Sequence, residues 1–95
     1  MNDMFAVPAF RPRDSIVQLK RSLRELRLLV ESGDAYKLQG QRVIELRFDE
    51  TFITVRLARR ALQSPEWDTQ VLKSAADLRK CLDEVKKRLV RWTEE

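Results

Sequence analysis

The stretch RVIELRFDETFITVRL, Arg42 to Leu57, constrains this chain most, because its apolar residues satisfy two incompatible periods. As a helix, Ile44, Phe48, Phe52 and Val55 form one stripe, and Val43, Leu46, Ile53 and Leu57 form another, roughly opposite. A central helix of a three-helix bundle could use both. As two antiparallel strands joined at Asp49–Glu50, Leu46 lies opposite Ile53, and Ile44 lies opposite Val55. The apolar residues then share one face, and Glu45, Arg47, Thr54 and Arg56 take the other. Eight of the sixteen residues are Val, Ile, Thr or Phe, types that suit a pleated surface. A loop at Gln39-Gly40-Gln41 extends the pattern backwards, setting Tyr36 opposite Ile44 and Leu38 opposite Arg42. Gly40 suits such a loop and would weaken a helix interior by about 1 kcal/mol.

The flanks read as helices. Pro8 and Pro12 argue against a regular helix over residues 1–12, which read as a flexible arm ahead of a single domain at 13–95. Asp14 or Ser15 can cap a helix carrying Ile16, Leu19, Leu23, Leu26 and Val30 on one face, with Gly33 as its left-handed stop. Ser64 followed by Pro65 reads as the start of a second long helix. It carries Val71, Ala75, Leu78, Leu82, Val85, Leu89 and Trp92 at heptad spacing, with Trp67 in its first turn and Cys81 beside the seam. Residues 58–63 form a short helical linker on this reading. The expected class is α+β: helix, three-stranded antiparallel meander over 35–39, 41–48 and 51–57, linker helix, long C-terminal helix. The alternative is an all-α three-helix bundle.

This element order is that of double-stranded-RNA-binding domains. Their glycine- and lysine-rich signature before the last helix does not occur here, where ARRALQSPEWD stands instead. FITVRL also resembles the strand of ribbon–helix–helix repressors, which need two helices directly after it, and Pro65 leaves room for a stub. No family is assigned.

Ninety-five residues with 43% hydrophobic and 36% charged side chains make a globular chain, not a disordered one. No apolar run approaches the roughly 20 residues that span a bilayer. One cysteine excludes an internal disulfide and fits a cytoplasmic setting. With no histidine, the commonest general base and metal ligand is missing, and the two isolated glycines make no phosphate-cradling loop. No catalytic residue, metal site or cofactor is expected.

Three surfaces remain. Arg13, Lys20, Arg24 and Arg27 fall within about 60° on the first helix, at about 100° per residue, and could track phosphates or an acidic partner. Lys37, Arg47, Phe52 and Arg56 form a candidate patch on the outer sheet face, where an aromatic among cations could stack a base. Leu82, Val85, Leu89 and Trp92 form a seam that could pair with a second copy. The expected function is a non-catalytic protein–protein interaction module, a small adaptor, inhibitor or regulator, acting as a homodimer or on another protein. A small basic nucleic-acid-binding regulator that uses the row on the first helix is the alternative.

Overall fold

The computed structural model describes residues 10–94. Its elements are α1 (Pro12–Glu25), β1 (Leu29–Ser32), β2 (Ala35–Leu38), β3 (Gln41–Phe48), β4 (Ile53–Ala58), β5 (Trp67–Leu72) and α2 (Ala75–Glu94). The strands form one antiparallel meander in the order β1-β2-β3-β4-β5, and both helices pack against its inner face. The fold is α+β, with five strands in place of the expected three, and the three-helix bundle is excluded.

Each hairpin turn follows from its residues. Gly33, at φ +62°, opens the two-residue turn between Ser32 and Ala35. Gln39 and Gly40, at φ +52° and +83°, form the two-residue turn between Leu38 and Gln41, as a type I′ hairpin requires. The expected three-residue loop is therefore one residue shorter, and Leu38 faces Gln41. Tyr36 still faces Ile44, because the ladder shifts between Tyr36 and Lys37. Val43 is the extra residue of that bulge, so Val43 and Ile44 are both fully buried despite being neighbours in a strand.

Between β3 and β4 the turn is longer than expected. The Asp49 carboxylate accepts the backbone N–H groups of Thr51 (2.7 Å) and Phe52 (3.0 Å), and the Asp49 N–H donates to the Phe52 carbonyl. A four-residue loop results, with Phe48 opposite Ile53, Leu46 opposite Val55 and Ile44 opposite Leu57. The register slips by two residues from the expectation. An even slip leaves Ile44, Leu46, Ile53 and Val55 on the inner face and Glu45, Arg47, Thr54 and Arg56 on the outer one. Val43 at the bulge and Phe52 in the loop leave the face that alternation assigns them.

The two additional strands come from segments expected to be helical. α1 begins at Pro12, inside the expected arm, and ends at Glu25. Leu26 leaves the helix at φ −83°, ψ 88°, and Leu29–Ser32 pairs with β2. Val30, placed on the helix's core face by periodicity, is 63% exposed on the outer side of the sheet. Trp67–Leu72 pairs along its whole length with β4, and the linker helix expected at 58–63 does not form: Ala58 ends β4, and residues 59–66 are an irregular loop. α2 starts only at Ala75, where the Ser74 hydroxyl accepts the Asp77 N–H and the Asp77 carboxylate accepts the Lys73 N–H. Residues 1–9, the greater part of the expected arm, lie outside the described residues.

One core lies between the layers. Ile16, Leu19 and Leu23 of α1 and Cys81, Val85 and Trp92 of α2 meet the inner faces of all five strands. Full burial of a Leu, Ile or Val side chain contributes about 1.5–3 kcal/mol. Tyr36, fully buried, donates its hydroxyl to Glu31 at 3.1 Å, and burial together with that bond raises its pKa. No buried side-chain nitrogen or oxygen among the described residues lacks a partner.

Candidate functional site

The uncovered side of the sheet is the most distinctive surface. Alternation along β2 to β5 turns Lys37, Arg42, Glu45, Arg47, Thr54, Arg56, Trp67, Thr69 and Val71 outward, and no helix among the described residues packs over them. Four cations thus share a face with one acid. Arg56 bonds Glu45 at 2.8 Å and lies 4.8 Å from the centre of the Trp67 ring, a cation–π distance. Arg42 reaches Glu45 only at 3.8 Å. Lys37 and Arg47 have no ion-pair partner among the described residues, so their charges remain available.

The expected patch of Lys37, Arg47, Phe52 and Arg56 is therefore altered in one member. Thr54, not Phe52, faces Arg47, because the loop held by Asp49 carries Phe52 off the face. Trp67 supplies the aromatic instead. Its signal lay in the sequence as the alternation of Trp67, Thr69 and Val71, an aromatic and two β-branched residues at a period of two.

Of the basic row, Arg13, Lys20 and Arg24 lie on α1 in the expected sector, and Arg27 does not. Lys20 bonds Asp34 at 3.0 Å, Arg24 stands 4.0 Å from Glu31, and Arg27 lies beyond the end of the helix. Arg13 borders an open depression of about 480 Å³ between the start of α1 and the β3–β4 turn, with Phe10, Pro12 and Phe48 as its apolar lining.

The seam of Leu82, Val85, Leu89 and Trp92 is used inside the molecule. Val85 and Trp92 are buried, and Leu82 and Leu89 are half-buried against the same core. Beside them Arg88, with its side chain 11% exposed, joins Asp68 (2.9 Å) and Glu84 (2.7 Å) and donates to the carbonyls of Leu57 and Ala58. Asp68 also receives Arg59 (2.8 Å), and these hydrogen bonds, that of Arg59 first, hold its carboxyl below the ordinary range. This network joins α2 to β5 and ties down the 59–66 loop.

Burial pushes the Cys81 thiol up to about 12, with the charge of Glu84 adding to the effect, so it stays protonated at neutral pH. No group of three or more metal-capable side chains occurs among the described residues. No helix of the described residues is long and apolar enough to cross a membrane. Compared with known proteins, the chain matches no family model, no curated protein and no solved structure.

Proposed function

We propose that this chain is a non-catalytic interaction module whose working surface is the uncovered sheet face, and that its partner is an acidic protein segment. The observation that carries this reading is the set of four cations, Lys37, Arg42, Arg47 and Arg56, around a single acid on one face of a rigid sheet. Lys37 and Arg47 supply long-range attraction and orientation. Trp67, already ordered by Arg56, supplies apolar area that costs little entropy to present.

A second reading is single-stranded nucleic acid, favoured by the Arg56–Trp67 pair. An aromatic ring beside a guanidinium offers the stacking surface that any base can use, and backbone phosphates would meet Arg47 and Lys37.

The double variant Lys37→Glu/Arg47→Glu tests both readings, since these side chains hold no fold-stabilising ion pair. Arg21→Glu, on the exposed side of α1, is the control. Immobilised wild-type protein and the control should retain a common set of acidic host proteins that the double variant loses. Retention of the same set by the double variant ends the first reading. Titration of labelled single-stranded oligonucleotides at two salt concentrations decides the second, because affinity must fall with salt in proportion to the phosphates neutralised.

A further inference from the structure

The two edges of the sheet differ in a way that points to a second copy of the chain. Natural edge strands are kept short, bulged, or marked by lysine or proline, because an open row of N–H and C=O groups recruits other strands. β1 follows that rule with four residues. β5 does not: its six residues, WDTQVL, pair with β4 without a bulge and contain neither lysine nor proline. Its only charge, Asp68, points inward, where an unpaired charge would guard the edge, but Arg88 and Arg59 neutralise it within the molecule. Thr69 and Val71 are exposed at this edge, Val71 at 44%.

The phase of the free groups follows from one bond. The Arg59 N–H donates to the Glu66 carbonyl at 2.9 Å, on the same ladder that sets Leu57 opposite Asp68 and Val55 opposite Gln70. Bonded pairs alternate along an antiparallel ladder. The even-numbered residues of β5 therefore face β4, and Trp67, Thr69 and Val71 direct their N–H and C=O groups to the open edge.

We propose that the protein is a two-fold dimer in which β5 pairs antiparallel with β5 of a second copy, centred on Thr69. In this register Thr69 faces Thr69 of the second copy, and Trp67 faces Val71 twice. All three residues use only their free backbone groups, giving about six hydrogen bonds. Both neighbouring registers fail. One would pair Val71 with Pro65, which has no N–H. The other would pair Trp67 with Lys73, whose N–H already serves the Asp77 carboxylate at 2.9 Å. Threonine opposite threonine and an aromatic opposite a β-branched residue are pair types that stabilise sheets. The result is a sheet of ten strands, five from each copy, with both basic faces on one side. The dimer does not depend on the identity of the anionic partner.

Sedimentation equilibrium over a concentration series tests it. The wild-type chain should reach twice its 11.2 kDa mass. Thr69→Lys, which sets two ammonium groups face to face on the two-fold axis, should remain at the monomer mass with an unchanged circular dichroism spectrum. Thr69→Cys should become covalently dimeric under mild oxidation, while Val30→Cys on the β1 edge should not. A wild-type chain that is monomeric throughout overturns the proposal. So does a Thr69→Lys variant that still dimerises, or equal cross-linking at Val30.

Discussion

The indole Nε1–H of Trp92 donates to the carbonyl of Ala58 at 3.0 Å, so the last turns of α2 are tied to the end of β4 across 34 residues of sequence. Trp92 is 2% exposed, which makes it an internal anchor and not the partner-reaching residue that its place near the C-terminus suggests. Trp92→Ala removes the largest side chain of α2 from the core and should cost about 3–5 kcal/mol by denaturant unfolding. Trp92→Phe keeps most of the buried area. The Ala58 carbonyl retains Arg88 at 3.3 Å, so the loss should be about 1 kcal/mol.

Arg88 is the more sensitive partner in the same corner. Its guanidinium is nearly enclosed, and its removal takes the ion-pair partner from Glu84, one of two from Asp68, and a donor from the carbonyls of Leu57 and Ala58. Arg88→Met should destabilise by about 2–3 kcal/mol, read as a shift in the urea midpoint at constant slope. Asp68→Asn should cost less in the Arg88→Met background than in the wild type, since of the two bonds it weakens the one to Arg88 is already gone and only the one to Arg59 remains. Equal costs in both backgrounds would show that the two side chains act independently.

What the sequence made legible was local periodicity wherever a single period was offered. The core stripe of Ile16, Leu19 and Leu23 and the body of α2 follow it, and over residues 42–57, where two periods fit, the Val, Ile, Thr and Phe content pointed to strands. The failures lie where two periods fit and pairing partners decide. Leu26 and Val30 continue the α1 stripe. But Gly33-Asp34 can also close a hairpin, and pairing with β2 outweighs one further turn of helix. Val71 and Ala75 fit the heptad of α2, and Pro65 fits a first helical position. Ser74 followed by Asp77 is the stronger start signal, and it leaves Trp67–Leu72 free to alternate as a strand. Because β5 was hidden inside a helical reading, so were Trp67 on the basic face and the open edge beside it.

The β2–β3 turn carries a conformational cost at one position. Gln39 sits at φ +52°, a region that disfavours residues with a Cβ, and Gly40 at φ +83° relieves the turn beside it. Gln39→Asn should stabilise by about 0.5 kcal/mol, because asparagine tolerates the left-handed region and suits a type I′ hairpin. Gly40→Ala should destabilise by about 1 kcal/mol. No atom lies within 4 Å of the added methyl group, so the loss is conformational and not steric. Thermal unfolding of the two variants, moving the midpoint in opposite directions, checks both.

Asp49 gives the fold part of its acid sensitivity. The hydrogen bonds its carboxylate accepts from the Phe52 and Thr51 N–H groups hold its pKa below the unfolded value of 3.8. A depressed carboxyl contributes stability that is fully present above the unfolded pKa. That contribution disappears as the pH falls through the lower, folded pKa, because the folded state must then take up a proton it binds weakly. Unfolding free energy should therefore be level with respect to this group above about pH 5 and decline below about pH 4. Asp49→Asn keeps an acceptor oxygen for the turn but cannot titrate. Its stability should lie below the wild type at pH 7 and approach it near pH 2, where the native carboxyl is also neutral. The difference between the two proteins, measured by denaturant unfolding across that range, isolates Asp49 from the other carboxylates. A difference that does not change with pH would place the contribution of Asp49 in the shape of the turn and not in its charge.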